Sequence, residues 1–481
     1  MPFLCIFVFL FSINSAFGSI DMSPEVSKVL EKNNDADVIL YFRNQDKKIE
    51  AQNILDRNQR IQYLVQELIG QAENSQKDLL HYLSEKSYEY QSFFVENAVR
   101  VPKADKKLLS EIISFPQVSR VRMNSKIVMQ LPALESPRKR GIEPHIQLIK
   151  ADQVWDKHQV YGEGIVIASA DTGVYWQHNS IRKQYRGYSS EGPINHNYNW
   201  HDAIHGTNSG PCTADSPEPC DDRDHGTHTV GTMVGDDGAD NRIGVAPKAQ
   251  WMGCRNMQNG VGSVAAYLEC FEFFLAPYPH GGNAKTDGRP ELAPHIVNNS
   301  WSCPGSEGCR GDEFYQTVQA YKEAGILLVA AAGNSGPHCG SIADTPARHA
   351  GDILVVGAFN TFLNEVAFFS GRGPSNLEQR VAPNIVAPGA FVRSAVTTGP
   401  NDYDDKPGTS MASPQAAGVA ALLWSHRPEL IGNVEATIEI LESSADGSFA
   451  KTSCPGLPAN KTPNSEYGYG MLNALNALNT P

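Results

Sequence analysis

At 481 residues, with 41% hydrophobic and 19% charged residues, the chain is long enough to bury a large core and too apolar for a disordered polyelectrolyte. That length suggests one large domain plus a smaller one. A formal net charge of −13 argues against nucleic acid as the main partner, since phosphate backbones repel such a surface.

Phe3 to Ile13 is an apolar run too short to span a bilayer comfortably, and it is followed by the small residues Ala16 and Gly18. The segment reads as a secretory signal over residues 1–18, cut near Gly18-Ser19, although no lysine or arginine precedes the run. No later stretch approaches transmembrane length, so a secreted, extracellular protein with no membrane contact after signal removal is expected. Residues 19 to about 130 have their own texture. Val38-Ile-Leu-Tyr-Phe42 reads as a strand, Arg57 to Ala72 as a helix, Phe93 to Val95 and Ala98 to Val101 as strand material, Ala104 to Ile113 as a helix, and Val118 to Val128 as a final strand. Together these predict a small α+β module. Pro132 to Pro144 then reads as an exposed linker interrupted by Arg138-Lys139-Arg140, a basic triplet suited to processing before a second domain over residues 141–481.

Ile165 to Ala170 is a short apolar run without a helical stripe, which predicts a buried parallel strand delivering Asp171 at its C-terminal end, where α/β sheets place ligand sites. Asp221, Asp222 and Asp224 precede His225 in Asp-His-Gly-Thr-His, and Thr227 to Val234 reads as a helix. Ile326 to Ala332 predicts another buried strand, ending in Gly333-Asn334-Ser335-Gly336. Ser410 lies in Gly-Thr-Ser-Met-Ala-Ser-Pro and opens the apolar segment Ala416 to Trp424, read as a helix. The residue types fit one chemistry. A serine hydroxyl is a weak nucleophile near neutral pH and needs a base in hydrogen-bond reach. Imidazole titrates in the right range, and a buried carboxylate fixes its tautomer. Asp171, His225 and Ser410 would take those three roles.

The order Asp, His, Ser is the one found in subtilisin, and with the Asn334 motif the chain resembles the subtilisin-like serine peptidases (subtilases, peptidase family S8). Over roughly residues 150 to 475 the segments Gly244 to Trp251, Phe274 to Pro294 and Ile296 to Trp301 look like the bacillopeptidase F branch. The resemblance implies an α/β fold with a mostly parallel central sheet flanked by helices, and, more weakly, an inhibitor I9-like propeptide over residues 19–140 whose last strand feeds the active-site cleft. It implies an endopeptidase cutting protein or peptide substrates through an acyl-enzyme, made as an autoinhibited zymogen whose own propeptide is the intramolecular inhibitor, and acting as a monomer. Asn334 and the Ser410 backbone N–H would form the oxyanion hole. Gly260-Val-Gly262 and Ser300-Trp301-Ser302 would be the two edges that hold substrate backbone as a strand. Aligning the prolines after the Asn334 loop puts Asp344 near the base or wall of the primary pocket, where a carboxylate would pair with a basic P1 side chain or else point to solvent or cap a turn. A catalytically silent secreted binding protein on the same scaffold is the other function class, and labelling by an active-site serine reagent separates the two.

No cofactor is required for this chemistry. The acidic loops at Asp221, Asp222, Asp224 and at Asp236, Asp237, Asp240 suit a structural Ca²⁺, with no ligands assigned. Of nine cysteines Cys5 falls in the signal, and the remaining eight favour disulfides in an exported protein. Cys212 with Cys220 and Cys303 with Cys309 bracket short loops containing proline or glycine, and the pairing of the other four stays open.

Overall fold

The computed structural model describes residues 20–43, 49–132, 141–206, 208–375, 381–456 and 458–481. The expected signal, with its cut near Gly18-Ser19, and the basic triplet at 138–140 lie outside the described residues.

The N-terminal module runs β1 (Asp21–Met22), α1 (Pro24–Lys32), β2 (Asp35–Phe42), α2 (Arg57–Glu85), β3 (Gln91–Phe93), β4 (Ala98–Asp105), α3 (Lys106–Glu111) and β5 (Val118–Met123). Its five strands form one sheet in the order β1-β5-β2-β4-β3. β2 explains its own sequence. Val38, Leu40 and Phe42 pack against Val26, Leu30, Leu79 and Leu83 in the module's private core, while Ile39 and Tyr41 join a core continuous with the larger domain. A strand dry on both faces has no polar alternation to show.

Three expected boundaries shift, each for a local reason. α2 continues past Ala72 to Glu85 because nothing breaks it: residues 57–85 hold no proline and one glycine, and Asp56 caps the start by accepting from the Gln59 N–H at 2.8 Å. Its first half (Ile61, Leu64, Val65) faces the larger domain, and Leu79 and Leu83 face the module. The helix expected from Ala104 starts at Lys106, since Asp105 serves as its cap on the Leu108 N–H at 2.7 Å. The single strand expected over Val118 to Val128 breaks at Asn124-Ser125 into β5 and β6 (Lys126–Val128). Asn124 belongs to both bodies: its amide donates to Asp37 at 3.0 Å and its carbonyl accepts from the Ala265 N–H at 3.0 Å.

The larger domain contains β7 (Val166–Asp171), β8 (Trp200–Asp202), α4 (His225–Val234), β9 (Gln250–Arg255), β10 (Met257–Gln258), β11 (Val261–Ser263), α5 (Val264–Leu275), β12 (Ile296–Asn299), α6 (Tyr315–Ala324), β13 (Leu327–Ala331), β14 (Leu354–Asn360), β15 (Glu365–Val366), β16 (Ile385–Pro388) and α7 (Thr409–His426). The central sheet has the order β15-β14-β13-β12-β7-β9-β8, with β16 also on β14, and every pairing is parallel except β15 with β14. Alternate residues of β7 point to opposite cores. Ala168 and Ala170 meet Leu268, Phe271 and Tyr321 from α5 and α6, and Ile167 meets Val230, Met233, Val419 and Ala420 from α4 and α7. Helices on both faces of a parallel sheet make this an α/β fold.

Disulfides join Cys212–Cys220 and Cys303–Cys309, as the loop brackets suggest, and also Cys254–Cys270 and Cys339–Cys454. No helix among the described residues is long and apolar enough to cross a membrane.

Candidate active site

Asp171 ends β7 and His225 begins α4, so two regular elements bring an acid and an imidazole together from 54 residues apart in sequence. His225 Nδ1 lies 2.7 Å from Asp171 Oδ1, which also accepts the Thr172 N–H at 2.7 Å. Both residues are fully buried, at 0% and 1% exposure, so the pair works away from bulk water. Gly226 makes the approach possible: a Cβ there would stand 2.0 Å from the carbonyl oxygen of Gly173.

Ser410 sits in the first turn of α7 and is buried. Its hydroxyl donates to the Ser300 carbonyl at 3.0 Å, and His225 Nε2 has no hydrogen-bond partner among the described residues. Asn334 follows β13, and its amide is oriented by two donors from Thr409, the N–H and the hydroxyl, each 3.0 Å from Oδ1. That leaves Nδ2 to donate outward. It does so to the carbonyl oxygen of Gln130, at 3.0 Å.

Gln130 arrives there because β6 pairs antiparallel with β11, opposing Ile127 to Gly262 and Val128 to Val261, and the Met129 N–H donates to the Gly260 carbonyl at 2.8 Å. Gly260 and Gly262 therefore lie against an extended segment of the protein's own N-terminal module. On the other side the contact is a side chain. The Val128 N–H donates to the side chain of Glu307 at 2.9 Å, not to Ser300, Trp301 or Ser302. Ser300 is tied to α7, its carbonyl taking Ser410 and its hydroxyl bonded to the Ser410 carbonyl at 3.1 Å and to Ser413 at 3.0 Å. The Trp301 ring turns into an aromatic cluster with Tyr267, Phe271 and Phe314. Ser302 and Asp344 line the same cavity as Gln130, Asn334 and Ser410.

The acidic loops are engaged within the protein. Asp221 accepts from the Thr172 and Thr227 hydroxyls and from the N–H groups of Arg223, Asp224 and Thr227. Asp222 pairs with the buried Arg255 at 2.6 Å, Asp224 with Lys406 at 3.0 Å, and Asp237 accepts from Ala239 and Asn241. No group of three or more His, Cys, Asp or Glu residues among the described residues could hold a metal ion.

Several carboxylates that sequence reasoning missed join the module to the domain: Glu323 accepts the N–H groups of Ala51 and Gln52, Asp312 pairs with Arg120 and Arg122, and three more act at the buried seam and the cleft. Glu272 of α5 accepts the N–H groups of Phe94 and Val95, and Glu96 of the module accepts the N–H of Gln316 and the N–H and hydroxyl of Thr317 at the start of α6. Burial pushes Glu272 up to about 8 and Glu96 up to about 7, against the hydrogen bonds that favour their charged forms. Glu307 is the third, on the loop closed by Cys303–Cys309. Partners nearly 180 or more residues away leave no local signature.

The model of the subtilase family (peptidase S8) matches residues 162–470. The chain is similar to bacillopeptidase F of Bacillus subtilis (strain 168), 36% identical over 85% of this chain and 28% of that one. It is also similar to the serine protease AprX of Bacillus subtilis (strain 168), 28% identical over 66% of each, and to a subtilisin of Bacillus sp. (strain TA39), 31% identical over 56% of this chain and 58% of that one. The chain thus spans less than two thirds of the length of each of these relatives. With residues 162–470, more than half of its length, matched by one family model, the chain belongs to the subtilase family.

Proposed function

We infer that the protein is a secreted serine endopeptidase, made as an autoinhibited zymogen in which residues 19–140 include the inhibitor. The observation that carries this reading is the Gln130 carbonyl oxygen, 3.0 Å from Asn334 Nδ2, at the end of a strand paired along Gly260–Gly262. A peptide carbonyl at an oriented amide donor beside a buried serine is the arrangement of a scissile bond.

The chemistry then follows from the residues. Ser410 Oγ leaves the Ser300 carbonyl, gives its proton to His225 Nε2 and attacks the Gln130 carbonyl carbon. Asp171 holds the imidazole by its Nδ1–H and stabilises the imidazolium. The tetrahedral oxyanion accepts from Asn334 Nδ2 and the Ser410 N–H. Collapse breaks the Gln130–Leu131 bond, His225 returns the proton to the Leu131 amine, and water hydrolyses the acyl-enzyme. Any extended protein segment laid along the same glycine edge would be cut by the same steps. The expected cut after Arg140 becomes a second, later trimming event.

The test is N-terminal sequencing of protein secreted by cells expressing the wild type and Ser410→Ala. The wild type should yield a large fragment beginning at Leu131 or further on and should react with a fluorophosphonate, whereas Ser410→Ala should stay joined at Gln130–Leu131 and unlabelled. Casein hydrolysis by purified Ser410→Ala would refute the nucleophile, and a cut at Leu131 in that variant would refute self-cleavage.

A further inference from the structure

The reading above fixes a reaction and leaves open which side chain precedes the cut bond. We propose that Asp344, reinforced by Glu307, makes the primary pocket selective for a lysine or arginine at P1, and this deepening rests on the peptidase reading. Three observations carry it.

The first is position. Asp344 lines the cavity that also contains Gln130, Asn334, Ser335 and Ser410, so its carboxyl faces the space beside the chain that ends at the reacting carbonyl. The second is charge. Glu307 lies close enough to Asp344 to interact electrostatically, and the Cys303–Cys309 loop holds it against the Val128 N–H at 2.9 Å. No lysine or arginine among the described residues forms an ion pair with either carboxylate. Arg348 is within electrostatic range of Asp344 but points a guanidinium N–H at the Arg310 carbonyl, at 3.1 Å. The third is the neighbour: Gln130 lines the same cavity and brings no charge, so the two acids there have no ion-pair partner among the described residues. Burial raises the Asp344 carboxyl above its ordinary value, with the Ser302 side chain and Arg348 opposing the rise. A partly buried carboxylate without an ion-pair partner is a costly arrangement, and a substrate lysine or arginine lowers that cost on binding.

The same logic makes Gln130 a slow residue for self-cleavage. A neutral side chain at P1 leaves the acids unpaired in the ground state and in the transition state alike. An arginine at that position would pair with the acids and hold the reacting carbonyl against its donors, a positioning gain realised most fully as the tetrahedral state forms.

The experiment uses the purified mature enzyme and peptides that differ only at P1, with Arg, Lys, Gln or Leu. Wild type should show a kcat/KM for Arg at least tenfold above that for Leu, and Asp344→Asn should reduce the Arg-to-Leu ratio at least tenfold, with Glu307→Gln reducing it less. In the full-length chain, Gln130→Arg should mature several-fold faster than wild type; this exposed position keeps the idea testable even if Asp344→Asn does not fold. A wild type that prefers Leu, an Arg-to-Leu ratio unmoved by Asp344→Asn, or Gln130→Arg maturing no faster would each overturn the proposal. Fluorophosphonate labelling separates the two levels. A labelled enzyme without basic preference defeats the specificity alone, whereas an unlabelled protein that cuts none of the peptides defeats the peptidase reading and this proposal with it.

Discussion

Replacing Glu272 by alanine is the sharpest test of how the N-terminal module is held. Its carboxylate accepts the N–H groups of Phe94 and Val95, both on residues at 1% exposure, so neither donor has water to turn to when the acceptor goes. A buried donor left unsatisfied costs about 1–3 kcal/mol, which puts two at about 2–6 kcal/mol. At 1.4 kcal/mol per decade, that is a loss of affinity between roughly thirtyfold and 10⁴-fold. A counter-term favours the lower end. Burial has pushed Glu272 up to about 8, so the docked state already holds this acid at a cost, and deleting it recovers part of that cost. The expectation is a roughly thirty- to hundredfold weaker grip in the cleaved but unseparated complex. Serial dilution of matured wild type and Glu272→Ala, with peptide turnover reporting free enzyme, reads the shift in midpoint. Equal midpoints would refute the argument, as would a Glu272→Gln variant, which keeps one acceptor, that dissociates more readily than Glu272→Ala.

Two further outcomes follow. Glu272 and Glu96 are both raised by burial at the interface, to about 8 and about 7, so docking takes up protons; the stabilisation is fully present below the ordinary carboxylate range and is lost as pH rises through 7 to 8. Gel filtration of the cleaved complex should show co-elution at pH 5 and separation at pH 9, and the reverse order would refute the sign. Removing an oxyanion donor in subtilisin costs about 10²–10³ in kcat, and Asn334→Ala should lose a similar factor with KM little changed; steady-state kinetics with a loss confined to KM would reject the role.

What the sequence discloses here is local, and what it hides is non-local. Asp171, His225, Asn334 and Ser410 each stand at the end of an apolar strand or the start of a helix, with glycines marking the close approaches, so their neighbourhoods can be read one at a time. The break at Asn124 could not be, because it depends on Asp37 and on Ala265, 141 residues away. Cys339–Cys454 spans 115 residues and has no loop to bracket. Glu307 replaces part of an expected backbone edge for the same reason: a side chain from a short disulfide-closed loop reaches a position that strand geometry alone assigns to main chain. The helix Arg57–Glu85 was legible in type and not in extent, since its two halves answer to different cores and the pattern changes face midway.

If the proposed cut at Gln130–Leu131 is made, β2 decides what becomes of the module afterwards. Val38 to Phe42 has no side that tolerates water, and the larger domain supplies the cover for Ile39 and Tyr41 as it does for Phe93 and Phe94. Detachment strips that cover from a strand in the middle of its sheet, leaving the module to stand on its private core alone. A segment so uncovered opens more often, and an opened chain is the extended polypeptide that the vacated cleft accepts. On the proposed zymogen reading, separation is thereby a ratchet: a body that blocks the site is stable while it blocks, and becomes degradable once it lets go.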